Sequence, residues 1–392
     1  MNAAPEYDVT LSVASSGYDR ETCWVQTRAG ALPPSKPGAA PTVVLTMQKL
    51  LLSGSDVFYA IHSTRTDDMG ETWTPPREHA HFRRDTHVCG LEQAVCDFWP
   101  RWHRKTRTLL GTGHIAVYQP DNSLSHDRPR STAYAVYDPA THDWHRWRAL
   151  KMPAGEKFHN SGAGCTQRVD LDNGEILLPI YFKVGPDYRS AAMVARCSYD
   201  GTTLSYVEHG TELTVDVQRG FVEPSLAHFR GRYYLTLRND EAGHVAVGDD
   251  GLHFGDAQPW RFDDGELIGN YNTQQHWVTH SDALFLVYTR RGLNNDHVFR
   301  HRAPLVMAQV DTERLCLLRD TERVIVPERG ARLGNFGVCD VSPDETWVIA
   351  GEWMQTTAPN YRDSTVCEKY GSDNSVFAAR IRWKKPNALF AW

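Results

Sequence analysis

The chain has 392 residues, is 41% hydrophobic and 11% aromatic, and carries a formal net charge of −6 at pH 7. That composition suits a globular protein with a large core, and its mild acidity argues against nucleic acid or an anionic membrane as a partner. No apolar run is long enough to span a bilayer.

The N-terminal stretch Met1–Asp8 has neither a basic nor an apolar region, so no secretion signal is visible, and a full-length chain would be cytoplasmic. The eight cysteines (Cys23, Cys89, Cys96, Cys165, Cys197, Cys316, Cys339 and Cys367) are scattered without a CxxC pair. They read as mostly buried free thiols, not as a disulfide framework or a zinc site. His79 and His81 are too loosely paired to hold a metal, so neither metal nor cofactor is expected. Nothing in the sequence sets the oligomeric state.

In chain order, short β runs alternate with Gly, Asp, Asn and Pro turns, and long helical periodicity is hard to find. A first unit begins near Arg28, in Thr27-Arg28-Ala29-Gly30. Asp56 follows in Ser53-Gly54-Ser55-Asp56, just before Thr66-Asp67-Asp68-Met69-Gly70-Glu71-Thr72-Trp73. That octet fits the Ser/Thr-x-Asp-x-Gly-x-Thr-Trp turn called an Asp box. Weaker versions lie at Asp138, Asp200 and Asp250. Their Asp and Gly make a tight turn against which an aromatic packs. They are expected to be folding staples without a catalytic part.

Between these turns a hairpin recurs. Trp99 and His114, Thr166 and Tyr181, Glu223 and Arg238, Gln275 and Arg290, and Gly337 and Glu352 each stand 15 residues apart, bracketing two strands. In an antiparallel hairpin such ends share one edge of the sheet. Six units of roughly 50–70 residues predict an array. The expectation is a single all-β domain over residues 1–392, a six-bladed β-propeller of four-stranded antiparallel blades around a funnel. The hairpin ends then converge on one face, where Arg28, His114, Tyr181, Glu223, Arg238, Gln275, Arg290 and Glu352 suggest a ligand site. His62 also falls near a predicted strand end.

At the level of these residues the chain resembles the sialidase (neuraminidase) superfamily, whose propellers carry Asp-box repeats. That resemblance implies a clamp of three arginines for a substrate carboxylate, filled here by Arg28, Arg238 and Arg302. It implies an Asp acid/base at Asp56 and a Glu at Glu223, with His62 and Gln275 as further substrate contacts. Arginine pairs bidentately with a carboxylate. A carboxylate nucleophile would be repelled by such a sugar, so the family uses a Tyr activated by a base.

Here the position that should hold that Tyr looks like Phe336, which cannot attack an anomeric carbon. Three explanations stand open. Tyr271 or Tyr181 serves instead; Glu223 or a His activates water; or the protein acts on a different acidic sugar. The resemblance implies an exo-acting glycoside hydrolase with an acidic glycan or glycoside as partner. Two alternatives share the fold: a lyase or hydrolase of uronate-containing glycans, with His114, Tyr181 and Arg196 as its working groups, and a non-catalytic glycan-binding propeller.

Overall fold

Runs such as Thr42–Leu51 bury almost every side chain instead of alternating inward and outward positions. A strand does this when both faces of its sheet are covered, as in stacked propeller blades. The structure is a computed structural model describing residues 5–125, 129–183, 189–356 and 359–392. Among them, six antiparallel sheets follow one another along the chain as the blades of a six-bladed β-propeller.

Blade I is Thr22–Leu32, Thr42–Leu51, Phe58–Thr66 and Arg77–Glu78. Blade II is built on Glu92–His103, Thr108–Tyr118 and Thr132–Asp138. The first strand of blade III is broken into Ser161–Gly162 and Val169–Asp170, followed by Ile176–Lys183, Ser190–Tyr199 and Leu204–His209. Blade IV is Val222–Phe229, Arg232–Arg238, His244–Gly248 and Gln258–Pro259. Blade V is built on His276–His280, Ala283–Tyr288 and Leu305–Asp311. Blade VI joins both ends of the chain: Phe336–Ser342, Glu345–Gly351 and Val376–Trp383 are completed by Tyr7–Ser15, with Tyr7 opposite Trp383. Blades II and V carry extra short strands beyond the expected four.

Aromatics fill the spaces between strands. Phe98 meets Trp144 edge-on with ring centroids 4.9 Å apart, and Trp260 meets Trp277 at 5.8 Å. Each such ring contributes a few kcal/mol by leaving water. The Asp68 carboxylate holds its turn by accepting from the Thr72 backbone N–H at 2.9 Å, and Trp73 packs beside Trp347. Seven of the eight free cysteines are buried and Cys89 is exposed, as the sequence led one to expect.

One irregularity positions the site. In blades I, II and IV the first strand advances three residues where its partner advances two: Val25 to Arg28, Cys96 to Trp99 and Val222 to Ser225. Each is a β-bulge that turns a side chain out of the ladder. The bulged residue is left-handed and is not glycine: Gln26 (φ 54°), Asp97 (φ 53°) and Glu223 (φ 48°). Cys165 (φ 57°), in the break of blade III, repeats the conformation. Left-handed backbone costs a side-chain-bearing residue on the order of 1–2 kcal/mol, so four in register mark strain held in place by their surroundings.

Candidate functional site

The left-handed residues touch one another across blades. The Asp97 backbone N–H donates to Gln26 Oε1 at 2.6 Å, and the Cys165 thiol donates to Asp97 Oδ1. The other Asp97 oxygen, Oδ2, lies 3.2 Å from His114 Nε2. On the far side of that ring, His114 Nδ1 is 3.3 Å from the Tyr181 hydroxyl. Arg130 lies over the Tyr181 ring, 4.4 Å from its centroid. Burial alone would raise Asp97, but the His114 hydrogen bond and the Arg28 charge outweigh it and hold the carboxyl below its ordinary pKa. Burial lowers His114 against the pull of Asp97, so the imidazole is held neutral. Burial pushes Tyr181 up.

Glycine makes the space for this ring. A Cβ on Gly164 would sit 2.6 Å from His114 Nδ1, and one on Gly162 would sit 2.8 Å from His114 Cβ. Cys96 offers a further donor atom within 4.8 Å of Asp97 and His114. Burial and then the Asp97 charge push its thiol well above the ordinary range, so it behaves as a protonated apolar group.

Glu223 joins this throat to a group of arginines. Its charge is felt at His114, Tyr181 and Cys165. Its Oε1 accepts from Arg238 Nη1, while Oε2 is buried with no hydrogen-bond partner among the described residues. Arg238 Nη2 reaches Asn272 Oδ1 at 2.6 Å, and Arg302 donates to the carbonyl of the same Asn272. Among the described residues Arg332 reaches a side-chain amide, Gln355 Oε1 at 3.5 Å, and lies over the Trp353 ring at 4.3 Å. Burial, then the charges of Arg238, Arg332 and Arg300, push Arg302 well below the ordinary guanidinium value. Burial likewise lowers Arg332 to about 10. Arg238 is held up by Glu223, which outweighs its burial. The Nε of each of Arg238, Arg302 and Arg332 is buried without a partner among the described residues. The group holds more positive charge and more donors than its neighbours satisfy, which suits an anion. Gly334 lets Arg302 through, since a Cβ there would meet its side chain at 2.8 Å.

On the rim, a cavity of about 330 Å³ is lined by Arg300, His301, Arg332, Gln355 and their neighbours. Asp56 (φ 56°) lies within electrostatic range of Arg300 and Arg332, and its Oδ2 accepts from the Ser55 hydroxyl at 2.8 Å. Tyr271 donates to His301 Nδ1 at 2.7 Å, and His301 Nε2 lies 3.2 Å from Asp296. Farther along the first strands, a smaller cavity of about 140 Å³ is lined by Trp99, Arg101, Trp102, Arg168 and Trp392. It lies downstream of the bulges and apart from the arginines.

The structure thus brings together Asp56, Glu223, Arg238, Arg302 and Tyr271 from the residues expected. It places six others elsewhere. Arg28 is fully buried beneath the throat, donating to Gln274 Oε1 at 2.9 Å, with Asp97 Oδ1 4.0 Å away. His62 packs on Trp24 and faces Glu78 of the outermost strand of blade I. Gln275 is buried between blades IV and V, accepting from Thr236 and donating to the Thr273 carbonyl. Its neighbour Gln274 is buried too, accepting from Arg28 and donating to Asn335 Oδ1 at 3.1 Å. Arg290 pairs with Glu322, Arg196 with Glu175 and Glu208, and Glu352 accepts from the backbone of Asp373 and Ser375. Phe336 is fully buried, its ring edge-on to His276 at 4.8 Å, so it offers no nucleophile.

Asp97, Cys165, Arg332 and Asn272 were not singled out from sequence. The signal for the first two was present but blurred. Arg238 follows Glu223 by 15 residues, whereas Tyr181 follows Cys165 by 16 and His114 follows Asp97 by 17. A fixed spacing of 15 therefore selects Trp99 and Thr166.

No protein-family model and no curated protein sequence matches the chain. Solved structures are similar to it in fold. A Dyadobacter fermentans protein of unknown function superposes with a TM-score of 0.63 at 15% identity, over 96% of this chain and 99% of that one. Trypanosoma rangeli sialidase gives 0.59 at 12% identity over 97% of this chain, which spans 60% of the sialidase's length. The α-L-arabinanase of Penicillium chrysogenum, solved with arabinobiose, gives 0.59 at 12% identity over 97% of this chain and 100% of that one. Such likeness carries the fold, and the chemistry has to be argued from the site.

Proposed function

We propose that the chain is an exo-acting glycoside hydrolase that releases a terminal acidic sugar such as sialic acid. The observation that carries this reading is the trio Arg238, Arg302 and Arg332. They are buried guanidiniums with unpartnered Nε groups in a propeller whose fold is shared with a sialidase and an arabinanase. A carboxylate on the sugar would take those donors and offset the mutual repulsion. Asp56, on the rim near Arg300 and Arg332, is the proton donor to the leaving oxygen. The free oxygen of Glu223 accepts from the bound sugar or steers the group that attacks it.

The test is release of aryl alcohol from aryl α-sialosides, aryl uronides and neutral aryl arabinosides. Release from an acidic glycoside alone is expected. Arg302→Met should raise KM roughly 30-fold or more, from the ~2 kcal/mol of a charged hydrogen bond. Equal release from neutral arabinosides would remove the reading. An ultraviolet-absorbing unsaturated product would reassign the chain as a lyase. Binding of free acidic sugars without turnover of any glycoside would leave a glycan-binding propeller.

A further inference from the structure

We propose that Tyr181 is the reactive phenol of the funnel, activated by His114 and Asp97. The proposal takes its substrate from the glycoside-hydrolase reading above, but the activation itself rests on geometry.

An ionised carboxylate can only accept hydrogen bonds. Asp97 Oδ2 lies 3.2 Å from His114 Nε2, so Nε2 carries the imidazole proton. A neutral imidazole has one N–H, which leaves the lone pair on Nδ1. The Tyr181 hydroxyl, 3.3 Å from Nδ1, is therefore the donor. This is the order in which a base-activated nucleophile is built: nucleophile, base, and a third group that fixes the base.

Groups from three blades hold the order in place. Gln26 of blade I takes the Asp97 N–H, and Cys165 of blade III donates to its second oxygen. Gly164 leaves room for Nδ1 against the phenol, since a Cβ there would stand 2.6 Å from it. Burial raises the Tyr181 phenol, and Arg130, lying over its ring, opposes that rise in part. Two of the four strained residues, Asp97 and Cys165, exist in this arrangement to meet each other. Glu223, the partner of Arg238, acts electrostatically on both Tyr181 and His114, so the phenol belongs to the same funnel as the arginines.

The step balances as follows. The Tyr181 proton passes to His114 Nδ1 while Oη bonds to the anomeric carbon. The bond from that carbon to the aglycone oxygen breaks, and the oxygen takes the proton of the Asp56 carboxyl. Asp97 offsets the imidazolium. Water then attacks the anomeric carbon and gives a proton to Asp56. The departing Tyr181 oxygen recovers its own from His114.

The test does not require turnover. The whole protein is treated with a small aryl sulfonyl fluoride and the modified tyrosines are mapped by peptide mass spectrometry. Modification of Tyr181 ahead of Tyr271 is expected. Asp97→Asn and His114→Gln should each slow it at least tenfold, and Gly164→Ala, which removes no functional group, should slow it as well. Circular dichroism and a thermal melt confirm that each variant is folded. Modification of Tyr271 with Tyr181 untouched would overturn the proposal, because a phenol that must reach a sugar must be reachable by a reagent of that size. Modification of Tyr181 at the same rate in His114→Gln would overturn it too. If every glycoside in the screen is inert, the proposed function fails while the labelling result still stands on its own.

Discussion

The throat and the rim of this funnel each hold a Tyr–His–Asp chain, and the two differ in nearly everything but the order of the groups. At the rim, Tyr271 reaches His301 at 2.7 Å and His301 lies 3.2 Å from Asp296. In the throat the corresponding distances are 3.3 Å and 3.2 Å. Hydrogen-bond length alone ranks the rim first. Surroundings reverse the ranking. The Asp296 side chain is 96% exposed, so its charge is screened and its conformation is unconstrained. Asp97 is buried and gripped by Gln26, Cys165 and His114. A base is oriented only as firmly as the group behind it, and in low dielectric that group counts for more.

On the acidic glycoside found by the screen, His114→Gln should lower kcat by about 10²–10⁴, the range of a lost general base. His301→Gln should cost less than about tenfold by the same scale. The reverse order would move the reactive phenol to the rim. A smaller effect sharpens the point. Gly164→Ala adds one methyl group 2.6 Å from His114 Nδ1 and should lower kcat about tenfold with KM little changed, because it displaces the imidazole without deleting it.

Much of the fold was legible in the sequence because propeller blades repeat locally. Hairpins, turns and a regular period are short-range features, and Glu223 with Arg238 stood out at one hairpin edge. The arginine Arg302 and the rim carboxylate Asp56 were also legible, through resemblance. What stayed hidden was register. A bulge inserts one residue and re-aims a side chain without any residue type that announces it, as at Gln26, Asp97 and Glu223. Arg332 was hidden differently: it precedes the first strand of blade VI and reaches the cavity from a loop.

Acid tests the throat through stability. In the throat His114 faces Asp97, Tyr181, Arg130 and Glu223, and burial, then Arg130, set its folded pKa below the unfolded ~6.5. The unfolded chain thus binds the proton more readily. Stability is complete above about pH 6.5 and falls as pH drops through the window below it, by up to about 1.4 kcal/mol per pH unit. Buried His276, pushed well below its ordinary value, adds to the same slope. Thermal melts between pH 5 and 7.5 should therefore flatten in His114→Gln relative to the parent. An unchanged slope would mean that burial does not hold the His114 imidazole below its ordinary value.

The smallest expected effect lies at Asp296. Its ion pair with His301 is open to solvent, where such pairs contribute roughly 0–1 kcal/mol and fade with salt. Asp296→Asn should leave the melting temperature within a degree or two and kcat within about threefold, at low and high ionic strength alike. A loss approaching that of Asp97→Asn would show that a solvent-exposed carboxylate can fix an imidazole as firmly as a buried one. Burial would then no longer explain why the Asp97 carboxylate, and not that of Asp296, fixes the working imidazole.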